Sequence, residues 1–397
     1  VLAYMPSCIM LKHGDSWHQC CHGCPDTQLQ ATLLDFEAHP ILFDCPHLDE
    51  LSPTACEGEV LDGRRRRYER HVLKWGDMTF DWKDPNPSSG RFKVPFAELE
   101  SYRKRMGLAD NFAVISGHQD LVNYAYVPQT EYDGNNDPKV ARAPDYKKHK
   151  LNVLLLNNDN ELKGEVAHRF IVTSSAVYSK HEPDYLNHVC WLTMEGDGKM
   201  YLHKRAKPES SGAQAGKNID TKTFTQVVEY VLTELKYGDY IRQDGWAAGD
   251  NTRLFSRETV NQVFAQMQQV YSRQTNAYSV YYQTVKTSAD AHVVFMGDLH
   301  SCIYSLCKML QYCSTEGYFE EDGKTLKANR YIIFLGDLID RGPYGIDILV
   351  IVFSLKLAND AQVFICNGNH EAYPTYISYG LRDEIACEYE SKCNHRH

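Results

Sequence analysis

Three apolar runs in the last quarter of the chain, each ending in a short polar motif, constrain the fold more than any other feature. Val293-Val294-Phe295-Met296 leads into Gly297-Asp298-Leu299-His300. Tyr331-Ile332-Ile333-Phe334-Leu335 leads into Gly336-Asp337-Leu338-Ile339-Asp340-Arg341-Gly342. Gln362-Val363-Phe364-Ile365-Cys366 is followed by Gly368-Asn369-His370-Glu371. Such runs read as buried strands. Polar side chains at the C-terminal ends of successive strands are where open α/β sheets place their sites. Asp, His and Asn together make a hard, mixed oxygen and nitrogen set suited to two divalent or trivalent ions.

Composition narrows the class. The 397 residues are 43% apolar and 24% charged, enough for one large core or two small ones. The longest apolar block, 346–357, is interrupted by Asp347, Ser354 and Lys356, so no membrane span is expected. No secretory signal is evident. Thirteen cysteines without paired spacing outside 20–24 favour a reducing, cytoplasmic compartment over a disulfide scaffold. Cys20-Cys21-x-x-Cys24 lacks the partner pair a zinc site needs. A net charge of −10 argues against nucleic acid as the main partner. The local exception, Arg64 to Arg67 with Arg70, reads first as a solvated helix face and second as a contact for an anionic or regulatory partner.

The three motifs resemble the signature of the metallophosphoesterases, and specifically of the phosphoprotein phosphatases. Tyr379-Gly380-Leu381-Arg382-Asp383-Glu384 resembles a helix of that family. The resemblance implies an α/β fold, a four-layer α/β/β/α sandwich with a dinuclear metal site at strand C-termini. The family also needs two further metal histidines beyond the third motif, and only 27 residues follow His370.

Matching pieces occur at the other end. Cys20-Cys21-His22-Gly23-Cys24-Pro25-Asp26 resembles the family's His-Gly-Gly motif, and the preceding residues 5–11 resemble its strand. Trp75-Gly76-Asp77 resembles the family's Trp-Ser-Asp. Residues 113–117 form an apolar strand ending at His118, similar to the second metal histidine. Residues 170–178 resemble the late strand and the loop of the active-site tyrosine, here Tyr178. Segments 189–194 and 199–203 read as a closing hairpin around Gly196-Asp197-Gly198. The expected organisation is therefore a second half at 1–206, a flexible linker at 207–220 and a first half at 221–397.

Spacing agrees. His370 is 27 positions from His397 and His22 is 21 from Val1, so joining the ends would set the two histidines 49 apart, close to the family's gap. The stretch 221–290 then resembles the family's helical entry. Phe224, Val227, Val228, Val231, Leu232 and Leu235 recur at helical spacing, and a second helix opens at Ser256 and runs through Val263, Met267 and Val270. A circular permutation, a rotated numbering of an ordinary chain, and a fragment of a tandem all account for this order.

The resemblance implies roles. Asp337 bridges two ions, Asp298 and His300 complete the first, and Asn369, His22 and His118 complete the second. Mn2+ is the favoured ion, with Fe or Zn as alternatives. A shared water then attacks phosphorus in line. His370 protonates the leaving group, oriented by Asp340. Arg341 and, less securely aligned, Arg91 hold phosphate oxygens, and Tyr178 donates near the second metal.

Departures from the family pattern concern the substrate rim. Ser301 stands where the family has Gly, Asn367 where an Arg precedes the third motif, Cys24 where a second Gly follows His-Gly, and Ser116-Gly117 where a basic pair precedes the second histidine. Residues 120–165 form an insertion rich in Asn, Asp and Tyr. Lys93-Val94-Pro95-Phe96 matches a short docking motif but reads better as the entry to a strand or helix. The leading expectation is a phosphatase acting on phosphorylated proteins. The rivals are a hydrolase of small phosphates, such as dinucleoside polyphosphates, and a non-catalytic binding module. Divergent members of this kind occur among bacterial effectors, large viruses and protists.

Overall fold

The structure is a computed structural model. It describes residues 1–27, 32–39, 41–43, 73–79, 92–118, 125–126, 153–155, 161–166, 170–172, 188–206, 222–234, 254–274, 280–372 and 375–388.

Two seven-stranded sheets form the centre. In order, the first contains β3 (Ile41–Phe43), β13 (Val280–Thr287), β1 (Cys8–His13), β2 (Ser16–Cys21), β6 (Val114–Ser116), β10 (Phe170–Val172) and β7 (Ala125–Tyr126). The second contains β16 (Val363–Ile365), β15 (Arg330–Phe334), β14 (His292–Met296), β11 (His188–Met194), β12 (Met200–Ala206), β9 (Glu161–Val166) and β8 (Val153–Leu155). A separate parallel pair joins β4 (Gly76–Thr79) and β5 (Phe92–Pro95). Residues 93–95 thus lie in a strand and Phe96 opens a helix, which is the plainer of the two readings of that motif.

Side-chain alternation explains the layering. Along β1, Ile9 and Leu11 point between the sheets, while Cys8 and Met10 point outward. Along β14, Val293 and Phe295 enter the inter-sheet core, and Val294 and Met296 face helices. Both faces of these strands are covered, which is why the sequence shows unbroken apolar runs and not an alternating pattern. Helices α1 (Leu33–Ala38) and α2 (Phe96–Met106) cover the first sheet through Phe36, Leu99, Tyr102 and Met106. The second sheet is covered by α3 (Phe224–Glu234), α4 (Arg257–Gln274), α5 (Ile303–Thr315) and α6 (Gly345–Ala358). Short helices α7 (Thr375–Ser378) and α8 (Leu381–Glu388) follow the third motif. The result is an α/β/β/α sandwich.

Helix α6 is the apolar block noted in the sequence. It is buried nearly all round because α4 packs on its outer side, with Phe264 and Phe353 edge-to-face at 5.2 Å. Its two charges are answered locally. Asp347 accepts backbone N–H bonds from Leu254 and Phe255, and Lys356 pairs with Asp360 at 2.6 Å. Among the described residues, no helix is long and apolar enough to cross a membrane.

Chain segments from both sides of 207–220 enter each sheet. β13 pairs in parallel with β1, and β14 pairs antiparallel with β11. The linker itself lies outside the described residues. One strand was not anticipated: the segment before the His22 motif is a hairpin, and β2 separates it from β1. Gly14, at φ +56°, makes the tight turn between them.

Candidate metal centre

Tight turns after five strands deliver the candidate residues to one buried point. His22 follows β2, and His118 follows β6 after one glycine. Asp298 and His300 follow β14, Asp337 follows β15, and Asn369 and His370 follow β16. The turns are conformationally costly. His118, His300, Asp337, Asp340 and Arg341 all hold positive φ, between 41° and 68°. Non-glycine residues in that region cost about 1–2 kcal/mol each, and such strain concentrates at functional sites.

Close approach explains two glycines. A Cβ on Gly117 would stand 2.2 Å from Asp298 Oδ1, and one on Gly368 would stand 2.2 Å from Asp337 Oδ1. Gly117 also donates its N–H to the His22 carbonyl at 3.0 Å, lacing the end of β6 to the loop after β2.

Two groups of potential metal ligands share Asp337. One contains His22, His118 and Asp337, the other His300, Asp337 and His370. His22 Nε2 lies 3.0 Å from Asp337 Oδ2 and 2.9 Å from Asn369 Oδ1, and His118 Nδ1 lies 3.0 Å from the same Asn369 oxygen. His300 Nε2 is 3.6 Å from Asp337 Oδ2 and 4.0 Å from Asp298 Oδ2. The His118 N–H donates to Asp298 Oδ1 at 2.8 Å.

Ring orientation suits cation binding. His22 Nδ1 donates to the Leu335 carbonyl at 3.1 Å, and His300 Nδ1 donates to the Ile339 carbonyl at 3.1 Å. Each ring therefore turns its Nε2 toward the carboxylates, the arrangement in which backbone carbonyls orient metal-binding imidazoles. Carboxylate, amide oxygen and imidazole nitrogen converge, with the distances above between 2.9 and 4.0 Å. The residues present fit a pair of hard or borderline ions.

Electrostatics point the same way. Burial alone would push His22 down, but the Asp337 and Asp298 carboxylates outweigh it and raise the imidazole to about 9. Burial raises Asp298 to about 6, with only partial relief from His22. His300 is held well below its ordinary value by burial, then by Arg341 and His370, so its ring is neutral. A site whose buried carboxylates draw in positive charge is one that calls for a cation.

Beside this cluster, His370 Nδ1 lies 2.8 Å from Asp340 Oδ2, and Asp340 Oδ1 accepts the Leu381 N–H at 2.8 Å. Arg341 Nη2 reaches His370 Nε2 at 3.1 Å. A guanidinium only donates, so Nε2 is the acceptor and Nδ1 carries the proton to Asp340. The sequence expectation of a proton on the substrate-facing nitrogen therefore requires Arg341 to move away first.

Glu371 is a residue whose part sequence reasoning missed. It is buried, and it accepts the N–H groups of Asp337 and Gly368 at 2.9 Å and of Leu338 at 2.8 Å. It thus splints the second motif to the third. Its place inside the third motif was a signal, but a polar residue beside ligands does not announce which amides it will meet. Tyr379 was also missed as a neighbour, with its ring 4.9 Å from that of His370. Arg91, Tyr178, the Arg64–Arg70 cluster and most of 120–165 lie outside the described residues. The nine cysteines whose side chains are described are buried and form no disulfide, and neither ligand group contains one.

The model of the family described as calcineurin-like phosphoesterase matches residues 291–395. Serine/threonine-protein phosphatase T of Trypanosoma brucei brucei is 25% identical over 140 residues, which are 35% of this chain and 26% of that protein. The serine/threonine-protein phosphatase 4 catalytic subunit of Saccharomyces cerevisiae is 32% identical over 103 residues, 26% of this chain and 30% of that protein. Serine/threonine-protein phosphatase 7 of Arabidopsis thaliana is 29% identical over 105 residues, 26% of this chain and 23% of that protein. The chain thus spans less than a third of the length of these relatives. The α/β/β/α fold and the convergent candidate ligands are consistent with a metallophosphoesterase domain. Residues 291–395 match the calcineurin-like phosphoesterase family, and part of the chain is similar to serine/threonine-protein phosphatases.

Proposed function

We propose that this chain is a metal-dependent phosphomonoesterase that acts on phosphorylated proteins. The observation that carries the reading is the Asp337 carboxylate shared by two buried ligand groups. Asp298, His300 and Asp337 would hold one ion, and Asp337, Asn369, His22 and His118 the other, with Mn2+ favoured. When bound, two such ions supply Lewis-acid charge and a nucleophilic water at neutral pH.

The protein's own groups do the rest. Arg341 leaves His370 and donates to the oxygens of the incoming phosphate. That exposes Nε2, which takes up the proton it later delivers to the leaving oxygen. Asp340 keeps the ring oriented and stabilises the imidazolium, itself pinned by the Leu381 amide. The buried walls exclude water from the reacting phosphate.

The order of the motifs is read as two halves of one catalytic domain in swapped order, 1–206 and 221–397. The pairing of β1 with β13 and of β11 with β14 supports it. A chain rejoined as 221–397 followed by 1–206 is expected to fold and bind the same number of ions, and an unfolded product would overturn this reading.

Function is tested by assaying the Mn2+-loaded protein on a phosphopeptide panel and on a dinucleoside polyphosphate. Hydrolysis of phosphopeptides is expected. Activity on the nucleotide alone would replace the protein substrate with a small one. No activity on either, or on an aryl phosphate, would leave a binding module.

A further inference from the structure

Asn367 immediately precedes Gly368-Asn369, on the Asn369 side of the centre. Its side-chain carbonyl accepts a hydrogen bond from Lys74 Nζ at 2.5 Å. Its Nδ2 donates to the Leu2 carbonyl at 2.5 Å, and its backbone N–H donates to the Pro6 carbonyl at 2.7 Å. The asparagine is thus fixed, and the lysine is fixed by it.

The neighbours of Lys74 seat it against the centre. Residues 73–75 form a helical turn. The Leu73 carbonyl accepts the Gly23 N–H at 2.6 Å, beside His22. The Trp75 ring meets the His118 ring edge-on at 5.9 Å. Lys74 is therefore bracketed by contacts to the two loops that carry His22 and His118, and its ammonium stands against the residue two before Asn369.

Charge gives this position a use. Asp298, Asp337, Asp340 and Glu371 are all buried here, and a phosphomonoester brings further negative charge. Arg341 serves the His370 side. An ammonium is a compact point charge with three donors on a flexible stem, suited to phosphate oxygens. We propose that Lys74 is a specificity-determining residue of this site, held by Asn367 to receive phosphate oxygens on the Asn369 side. The proposal rests on the phosphoesterase reading.

Calorimetry of orthophosphate binding to the Mn2+-loaded protein tests it, with Mn2+ affinity measured separately. Lys74→Met is expected to weaken orthophosphate about tenfold while Mn2+ affinity stays within about twofold. Lys74→Arg should remain within about threefold of wild type, and Asn367→Leu, which removes the lysine's acceptor together with the Leu2 contact, should fall between. Wild-type affinity in Lys74→Met overturns the proposal. So does an equal loss in both lysine variants accompanied by lost Mn2+ affinity, which marks a structural role. A wild type that binds orthophosphate but hydrolyses no phosphoester overturns the hydrolase reading alone.

Discussion

His22 and Asn369 are 347 positions apart in the chain, yet His22 Nε2 lies 2.9 Å from Asn369 Oδ1. Each follows a strand of a different sheet, and the site exists only where the C-terminal ends of those strands meet. Replacing Asp337, which the two candidate ligand groups share, should therefore remove both proposed ion sites. Asp337→Asn is expected to weaken Mn2+ binding more than about 100-fold and to abolish aryl phosphate hydrolysis. Titration calorimetry with a parallel rate assay checks this, and a variant retaining two-ion binding would sink the bridging role.

Acid catalysis predicts a dependence on the leaving group. His370→Asn should lower hydrolysis of an alkyl phosphate about 10²–10⁴-fold, but hydrolysis of a nitrophenyl phosphate far less. Asp340→Asn should follow in the same direction with a smaller loss. Equal losses on both substrates would remove His370 from the acid role.

Three raised pKa values make stability without metal fall with pH above neutrality. Burial raises Asp298 to about 6 from 3.8 and Glu371 to about 7 from 4.5, while carboxylates lift His22, against burial, to about 9 from 6.5. All three bind protons more tightly when folded. Their contribution is present below the ordinary values and is lost as pH rises through the folded ones. Buried His300 and His18, held below their ordinary value, act in the opposite sense below about pH 6.5, so the metal-free protein should melt at falling temperature between about pH 6.5 and pH 9. Saturating Mn2+ should flatten the profile, as a ligand that binds only the folded state does. Calorimetric scans across this range decide it, and a metal-free melting temperature that climbs with pH would contradict it.

Gly117→Ala would push a methyl group into Asp298 Oδ1. Asp298 should swing away and Mn2+ affinity should drop about 10–100-fold, with the fold kept. Calorimetry beside circular dichroism separates these effects. Unchanged affinity would mean that Asp298 is not held where it matters.

Glu371→Gln places an amide against backbone N–H donors that now meet a carboxylate. A loss of about 1–3 kcal/mol in denaturant titration is expected. No loss would mean that the splint between the motifs is dispensable.

Much of this architecture was legible in the chain. Continuous apolar runs marked β14, β15 and β16 because both faces of each strand are covered. Phe224, Val227 and Val231 marked α3 because one helical face is buried. The hairpin of β11 and β12 was visible in its turn residues, with Gly198 at φ +79°. The hairpin of β1 and β2 was not, because both strands are buried and the chain at Gly14 offers only a two-residue turn.

Local pattern, then, determined the strands, the helices and which residue types stand at strand ends, since these depend on neighbours within a few positions. Only the tertiary structure decided which of those ends meet. It set Arg341 on the His370 nitrogen, turned Glu371 toward three amides, and joined Lys74 to Asn367 across 293 positions. Such contacts are fixed by how two sheets pack against each other, and no short stretch of sequence encodes that packing by itself.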